Sequence, residues 1–284
     1  MFIESRNKPI CDVPEIVTGN QVTQPKSGGL VIEADEYDDF IAREPMAENY
    51  IKRLVGSKEF INNLPRYCLW LVGVSPSELR KMPLVMERIE NCRQFRLSSS
   101  DVGTQKLADR PTLFRETINP DTFIVIPKVS SENRRYIPIG FLTANEIPTN
   151  TLKIIPDAAL FHFGILSSNV HNAWMRTVGG RMKSDYQYSK QIVYNNFPWP
   201  DGTDEQKRDI GEFAQAVLDA RAEFPESSFA DLYDPRTMPP NLRKAHQNLD
   251  RVVMKLYGFS VKDTTEASCV ASLMDLYQKI VHGD

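Results

Sequence analysis

The chain has 284 residues, of which 41% are hydrophobic and 25% are charged. These values are ordinary for a folded globular protein, and they exclude intrinsic disorder, a collagen-like repeat and a disulfide-stapled miniprotein. The length allows roughly two domains of about 150 residues each. The longest apolar runs, such as residues 68–74, are far shorter than the roughly 20 residues that span a bilayer. Because the N-terminus has no basic-then-apolar signal sequence, we expect a cytoplasmic protein with no membrane contact.

The formal net charge of −3 hides an uneven distribution of charge along the chain. Residues 1–50 carry 4 basic and 10 acidic side chains, and residues 201–284 carry 10 basic and 15 acidic. Residues 51–200 carry 20 basic and 12 acidic side chains, a net charge of +8. A basic middle fits a surface for a polyanion, because each Lys or Arg near a phosphate releases counterions. The alternative is a set of solvated, Arg-rich helix faces, and charge alone does not separate the two.

The first hundred residues mix short helices with one buried strand. Ser75 opens the capping box Ser-Pro-Ser-Glu, which places proline at the first helical position and predicts a short helix. Pro83 interrupts that helix. Around it, periodicity and turn residues predict an irregular stretch at 1–30, an acidic helix at 35–50, a buried strand at 65–73 and a helix at 84–98.

The rest of the chain changes from β-rich runs to amphipathic helices. Apolar spacing over 158–178 is compatible with helix, with Gly164 and Asn169 as breaks. Runs of β-branched and aromatic residues predict strands at 122–130, 134–143, 151–156 and 192–197. Amphipathic patterns predict helices at 201–224, 241–257 and 264–281.

Together these elements predict an α+β protein. We expect an irregular, acidic segment at 1–60, a mixed α/β domain at 61–200 and a helical C-terminal domain at 201–284.

Motifs of the common enzyme classes do not occur in the sequence. There is no glycine-rich nucleotide loop, no H-E-x-x-H and no G-x-S-x-G. The four cysteines are isolated, which favours buried free thiols over a zinc site, and the four histidines have no ligand spacing. Asp201, Glu205 and Lys207 imitate a nuclease metal site, but they fall within one helical turn. Acidic residues there are better explained by the positive end of a helix dipole.

The block at 171–200 has the residue types of a nucleic-acid reader, with Arg and Lys interleaved among Trp and Tyr. Lys183 and Asp185 stand two residues apart, so in an extended strand they point the same way. Lys donates to guanine, and Asp accepts from the amine of the paired cytosine, so the pair can read one G·C base pair. The alternative interpretation is a surface ion pair of little energetic value.

Several long stretches carry a family resemblance, in one consistent order along the chain. They lie at 8–21, 56–71, 82–90, 106–114, 129–142, 171–200 and 232–259. The chain resembles the target-recognition and C-terminal region of MmeI-like Type IIG/IIL restriction–modification enzymes. Such enzymes join an endonuclease, an adenine-N6 DNA methyltransferase and a target-recognition domain in one chain. The resemblance implies double-stranded DNA and an adenine methyltransferase domain or chain as partners.

One departure from the family pattern limits the expected activity. The family's methyltransferase needs a loop for S-adenosylmethionine and an N-P-P-Y motif for the flipped adenine. Neither occurs here, since the one Pro-Pro pair, at 239–240, lies in the sequence MPPN. We therefore expect no cofactor in this chain and neither methylation nor cleavage of DNA by it alone. An alternative is a methyltransferase-docking or remnant interaction module that does not bind DNA independently.

The resemblance also assigns roles to individual residues. The family's base-reading positions fall on Lys128, Asn150, Thr151, Lys183, Asp185 and Gln187. The Lys183/Asp185 combination looks like the family's guanine reader, whereas Gln187 stands where the family often has Arg. Lys128 suggests a second guanine, although its usual acidic partner is here Asn150.

Further residues are assigned to DNA phosphates, to packing and to bracing. The candidates for phosphate contacts are Arg134, Arg135, Arg176, Arg181 and Lys190. The aromatic residues expected to pack behind the recognition loop are Tyr186, Tyr188, Phe197 and Trp199. We expect the helices from 204 onward to brace the recognition domain against the methyltransferase.

Overall fold

The computed structural model describes residues 3–283, and its architecture is α+β, as predicted. The strands in chain order are β1 (Val17–Thr18), β2 (Val31–Glu33), β3 (Ile51–Val55), β4 (Arg66–Leu69), β5 (Thr122–Pro127), β6 (Val129–Ser130), β7 (Gly140–Thr143), β8 (Glu146–Pro148), β9 (Leu152–Pro156), β10 (Gly180–Met182) and β11 (Asp185–Gln187). The α-helices are α1 (Tyr37–Arg43), α2 (Ser57–Asn62), α3 (Pro76–Leu79), α4 (Pro83–Leu97), α5 (Val102–Gln105), α6 (Leu160–Ser167), α7 (Asn169–Val178), α8 (Asp204–Ala222), α9 (Phe229–Leu232), α10 (Pro240–Leu256) and α11 (Glu266–His282). Two 3₁₀ turns lie at Pro45–Tyr50 and Lys106–Asp109, and a π-helical turn lies at Lys190–Tyr194.

The chain forms two compact units that are interleaved in sequence, so the units do not end at the predicted boundaries, residues 60 and 200. The larger unit comprises the chain up to Val17, Asp121–Leu142 and the chain from Lys153 onward. The smaller unit comprises Thr18–Pro120 and Thr143–Leu152. Strand pairing explains the interleaving, because β8 runs parallel to β3 and draws its flanking residues into the smaller unit.

The smaller unit is a four-stranded sheet covered by helices. The strand order is β2–β4–β3–β8, with β4 antiparallel to both of its neighbours. Arg96 of α4 has no exposed surface, and its guanidinium donates to four main-chain carbonyls. These acceptors belong to Thr23, Leu107, Arg110 and Leu113, at 2.7–3.0 Å. One buried side chain thereby ties the irregular segments on either side of α4 to the helix.

The predicted capping box is present at the start of α3. The Ser75 hydroxyl accepts from the Glu78 amide at 3.2 Å, and the Glu78 carboxylate accepts from the Ser75 amide at 3.0 Å. These two bonds satisfy main-chain donors that the helix leaves unpaired. The predicted strand at 65–73 is β4, and the predicted helix at 84–98 is α4. Local signals were sufficient in this part of the chain.

Four local predictions differ from the structure. The predicted strand at 192–197 is wrong, because Lys190–Tyr194 is a π-helical turn whose first residues are capped by Ser189. The segment 134–143 is a strand only at its end, as β7, and 35–50 divides into α1 and a 3₁₀ turn. Gly164 does not break a helix but lies inside α6. An added Cβ there would lie 2.7 Å from Ile210, so glycine allows α8 to pack closely.

The larger unit joins the sheet β1–β9–β5–β7 and the small sheet β10–β11–β6 to a layer of helices. Its core draws on both sides of residue 201, since Trp174 and Phe197 share one apolar cluster with Ile210, Leu249 and Leu273. The helices after 201 therefore complete the core of the residues before it. Throughout residues 3–283, no helix is both long and apolar enough to cross a membrane.

Candidate functional site

The strands β10 and β11 form an exposed hairpin at the position of the predicted reader. They pair antiparallel, with Met182 opposite Asp185, and Lys183 and Ser184 make the turn. The third strand of this sheet is β6, whose Ser130 faces Tyr186. All three residues of β10 are exposed. A two-stranded ribbon of this kind fits the major groove of B-DNA.

Lys183 stands in the hairpin turn, which corrects the expectation that it lies in extended chain beside Asp185. Its φ is +57°, in the left-handed region. That conformation costs a residue with a Cβ roughly 1–2 kcal/mol. Lys183 is thus an exposed residue of the hairpin turn, while Asp185 begins the returning strand.

Asp185 and Arg181 are both held by contacts at the base of the turn. The Asp185 carboxylate accepts from the amide of Glu132 at 3.3 Å. The Arg181 guanidinium lies 3.9 Å from the centre of the Tyr186 ring and donates to the carbonyl of Ser184 at 2.6 Å. It also lies 3.5 Å from the Glu132 carboxylate. Arg181 thus stabilises the hairpin that displays Lys183.

Lys128 lies between β5 and β6, next to the strand that ends in Gln187. Its carbonyl accepts from the amide of Tyr188 at 2.8 Å, and Gln187 pairs with Val129. The half-buried Lys153 of β9 belongs to the same basic cluster. Burial and the ammonium groups of Lys128 and Lys190 lower the pKa of Lys153.

Asn150 and Thr151 lie in the smaller unit, unlike the other predicted base readers. Both are exposed in the turn between β8 and β9. The Thr151 hydroxyl accepts from the amide of Ser57 at 2.8 Å, at the start of α2. It also lies 2.9 Å from the hydroxyl of Thr149. The turn is therefore rigidly attached within its own unit.

Three predicted phosphate ligands line one cleft of about 420 Å³ in the larger unit. They are Arg134, Arg135 and Arg176. Burial lowers the pKa of the half-buried Arg134, opposed by the nearby carboxylates of Asp185 and Asp234. Arg135 is exposed at the surface.

Arg176 is partnered within the protein. Two of its nitrogens donate to the carboxylate of Glu266 at 2.8 and 3.0 Å, and a third donates to the carbonyl of Arg135 at 2.9 Å. A guanidinium with three such bonds joins α7 to α11 and offers little further donor capacity.

The aromatic residues behind the hairpin pack as predicted. Tyr188, Phe197 and Trp199 are buried, and Tyr186 packs on the same cluster. The Tyr188 hydroxyl lies 2.9 Å from Nε2 of His171. Burial lowers the pKa of His171 to about 3, so this histidine is neutral at physiological pH.

Acidic and thiol side chains do not assemble into a metal centre in the described part of the chain. Over residues 3–283, no three His, Cys, Asp or Glu side chains are grouped as metal ligands. Glu205 lies in the first turn of α8, as predicted, whereas Asp201 precedes the helix, which begins at Asp204. All four cysteines are free, and Cys68, Cys92 and Cys269 are buried, also as predicted.

Two site residues were missed by sequence reasoning. Lys153 is a cation within the otherwise apolar run TLKIIP, and that mismatch was the available signal. Glu132 lies in the polar turn after β6, where only its spatial neighbours reveal that it contacts Asp185 and Arg181. Both residues are distant from the hairpin in sequence, by about fifty residues in the case of Glu132. Local sequence patterns therefore do not show that they lie near it.

Sequence and structure comparisons identify the class of the chain that carries this hairpin as that of the restriction–modification proteins. Residues 1–201 match the family model "MmeI, target recognition domain". Residues 202–283 match "MmeI, C-terminal domain". The chain belongs to the MmeI family, and its residues match these two domains of the family.

Two relatives place the chain within longer proteins. It is 40% identical over 281 residues to "DNA methyltransferase A" of Bacillus subtilis (strain 168), which covers 99% of this chain and 32% of the relative. The solved structure of the Type IIL restriction-modification enzyme MmeI in complex with DNA matches with a TM-score of 0.94 and 45% identity. That match covers 99% of this chain and 37% of MmeI. The chain thus spans about a third of the length of these relatives.

Proposed function

We propose that the chain is the sequence-specific DNA target-recognition region of a restriction–modification enzyme with adenine-N6 DNA methyltransferase activity, of the Type IIG/IIL kind. The carrying observation is the exposed β10–β11 hairpin, with Lys183 at its tip, in a chain that superposes on DNA-bound MmeI with a TM-score of 0.94. The double-stranded DNA ligand is carried over from that relative. We propose that these two domains select the substrate, and that a methyltransferase domain or chain modifies it.

We propose that the hairpin enters the major groove and reads base edges. Lys183 donates to O6 and N7 of a guanine, and Asp185 accepts from N4 of the paired cytosine. The position of Lys183 favours this assignment, because it is an exposed residue of the turn that joins the two strands. Gln187 is the last residue of β11, and Lys128 directly precedes β6 of the same small sheet. Asn150 and Thr151 supply the remaining proposed base contacts from the exposed turn in the smaller unit.

We propose that the basic residues of this surface have two different roles. We assign Lys190, in its cluster with Lys128 and Lys153, and the cleft residues Arg134 and Arg135 as the main phosphate ligands. Such contacts fix the register on the duplex without reading sequence. Additional predicted phosphate ligands, Arg176 and Arg181, already bond to protein acceptors. We propose that these two contribute mostly by holding the surface in shape.

The catalytic steps belong to an adenine methyltransferase domain or chain that binds S-adenosylmethionine. We propose that this chain supplies recognition of the DNA sequence. Alone it neither methylates nor cuts DNA, and it works in the cytoplasm. The relatives are about three times longer than this chain, and one of them is named as a DNA methyltransferase. We therefore propose a methyltransferase domain or chain as the partner of this one.

Binding to duplex pools tests the function. The purified chain is mixed with random duplex DNA at low and moderate salt, and the bound fraction is sequenced. We expect one enriched short sequence containing a G·C pair and an affinity that falls steeply with salt. Absence of DNA binding, with and without a methyltransferase partner, would overturn the proposal.

A charge exchange at the hairpin tests the base assignment. In the double variant Lys183→Glu with Asp185→Arg, donor and acceptor change places, so we expect a different preferred base pair at similar total affinity. Exchange at Lys52 and Glu146, in the smaller unit and outside the proposed readers, serves as the control. A uniform loss of affinity across all sequences contradicts base reading by this pair.

The runner-up is a methyltransferase-docking or remnant module without independent DNA binding. The observation that favours it is the internal pairing of Arg176 with Glu266 and of Arg181 with Glu132, which reduces the free positive charge. Co-purification with a methyltransferase chain but no footprint on DNA would support it over the first proposal.

A further inference from the structure

Residues 135–139 form an irregular segment, which we call the strap, and helix side chains hold its main chain. From α7, Arg176 donates to the carbonyl of Arg135 at 2.9 Å, and the Asn172 side-chain oxygen accepts from the amide of Ile137 at 2.9 Å. Buried main-chain groups without partners cost free energy. These bonds therefore replace the strand pairing that the strap lacks.

The strap is also held by helices from the C-terminal part of the chain. The Tyr136 hydroxyl donates to the Asp250 carboxylate of α10 at 2.7 Å, and its ring stacks on His246 of the same helix with centroids 4.2 Å apart. Arg221 of α8 donates to the carbonyl of Ile139 at 2.6 Å. The side chains of Tyr136, His246, Asp250 and Arg221 are buried. The strap is thus fixed at both ends and in the middle.

The N-terminal end of the strap leads directly into contacts with the hairpin. In the turn at 131–134, the amide of Glu132 donates to Asp185, and its carboxylate lies 3.5 Å from Arg181. Arg134, which adjoins the strap, lies within the field of the Asp185 carboxylate. A displacement of the strap therefore moves the groups that hold the base of the hairpin.

We propose that the strap is a positioning element through which α7, α8 and α10 fix the orientation of the β10–β11 hairpin, with Tyr136 and Asp250 as positioning residues for base selection. The proposal rests on the proposed function in that the hairpin reads DNA bases. Hydrogen bonds to base edges weaken steeply with poor geometry, whereas contacts to phosphates depend mainly on charge. Loosening the strap therefore lowers discrimination between sequences more than it lowers affinity.

The first test uses two matched tyrosine variants of the full chain. Tyr136→Phe keeps the ring and removes the bond to Asp250, and Tyr257→Phe removes a comparable hydroxyl bond, 2.9 Å to the carbonyl of Pro198, outside the strap. Hydrogen exchange is measured on the amides of 180–187. We expect exchange about fivefold faster in Tyr136→Phe, the size of one lost hydrogen bond, and unchanged in Tyr257→Phe. Equal exchange in the two variants overturns the strap proposal, with or without DNA.

The second test measures dissociation constants for the preferred duplex and for duplexes with one base pair changed. We expect Tyr136→Phe to lower the ratio of these constants by about tenfold, as for one lost base contact. Binding to unrelated DNA should stay within about twofold, because the phosphate ligands are unchanged. An unchanged ratio overturns the role in base selection. If the wild-type chain binds no DNA, the proposed function fails, while the exchange measurement still decides the strap.

A variant at the protein surface tests the same proposal if Tyr136→Phe does not unfold cooperatively. Glu266 is 56% exposed at its side chain and orients Arg176 toward the carbonyl of Arg135. Glu266→Gln leaves the core intact and weakens that orientation. We expect faster exchange at 180–187 in this variant too, and unchanged exchange overturns the proposal.

Discussion

Asp250 is a carboxylate that lies almost completely buried and accepts hydrogen bonds from the Tyr136 hydroxyl and from the amide of Asn169. Burial raises its pKa to about 6, although these two bonds and the nearby Arg135 and Arg176 act in the opposite direction. The charged form is therefore less favourable in the folded chain than in the unfolded chain. This residue stabilises the fold less at neutral pH than it does in mild acid.

Replacing Asp250 by Asn gives the first expectation. With an unfolded pKa of 3.8 and a folded pKa of about 6, the stability associated with the protonated group is present below about pH 4. It is lost as the pH rises through 6. Because Asn stays neutral, the free energy of unfolding of Asp250→Asn relative to wild type should rise by about 2 kcal/mol between pH 4 and 7. Urea denaturation at several pH values measures this difference.

The control for that experiment is Asp209→Asn, which makes the same chemical change at an exposed position of α8. Because Asp209 is exposed, comparison of the two variants separates the effect of burial from that of the substitution itself. A difference that does not vary with pH at Asp250 contradicts the buried-carboxylate argument.

Lys183 shows strain at the residue scale in the proposed reader. Its left-handed φ of +57° is unusual for a residue with a Cβ, and asparagine tolerates that conformation better. Lys183→Asn should therefore keep or raise the free energy of unfolding, by up to about 1 kcal/mol, while the preference for the G·C pair is lost. Urea denaturation and duplex binding measure the two effects.

The neighbouring turn residue supplies the comparison. Ser184 is not among the residues with positive φ, so Ser184→Asn should bring no gain in stability. If Lys183→Asn lowers the free energy of unfolding, the left-handed conformation of Lys183 does not strain the hairpin. That result contradicts a strained conformation kept for recognition.

At the scale of elements, the packing of α6 against α8 depends on two glycines with opposite requirements. A Cβ at Gly164 would lie 2.7 Å from Ile210 and 3.2 Å from Ala214. A Cβ at Gly211 would meet only Leu160, at 3.6 Å, an ordinary contact distance. The same helix interface thus has no space at one glycine and adequate space at the other.

Alanine at these two positions should change stability in opposite directions. Gly164→Ala overpacks the interface and should lower the free energy of unfolding by about 1–3 kcal/mol. Gly211→Ala should raise it by about 0.5–1 kcal/mol, because alanine favours helix. Thermal and urea denaturation of the two variants measure these changes. A destabilised Gly211→Ala would show that α6 and α8 lie closer at this point than the structure has them.

At the scale of the whole molecule, the helices after residue 201 complete one core with the residues before it. Phe163, Trp174 and Phe197 share their apolar cluster with side chains of α8, α10 and α11. The two family models nevertheless meet at residue 201. A boundary between family models is therefore not a boundary between independent cores in this chain.

A chain ending at residue 200 should consequently fail to fold in its larger unit. We expect loss of the cooperative unfolding transition and self-association, because removing the later helices exposes a large apolar surface. Circular dichroism and gel filtration measure both. In the control, the complete chain is cut once at an introduced protease site near Glu226, in the exposed loop after α8, and its two parts should elute together. Cooperative unfolding of the shortened chain contradicts the shared core.

The site was predictable from the sequence where a local pattern was reinforced by the family resemblance. The block at 171–200 was recognised from its interleaved Arg, Lys and aromatic residues, and the structure places a hairpin within it. The partners of Arg176 and Arg181 were not predictable, because Glu266 and Glu132 lie far away in sequence. No local periodicity reports on such pairs.

The sequence by itself determined the α+β class, the helices with clear caps and the family, because these depend on local patterns and on the order of motifs along the chain. Only the tertiary structure decided that Gly164 lies inside a helix and that Lys190–Tyr194 is a π-helical turn. It also decided that 135–139 is a strap held by helix side chains. The physical reason is shared by all three: each conformation is stabilised by contacts or hydrogen bonds whose partners the local hydrophobic pattern does not record.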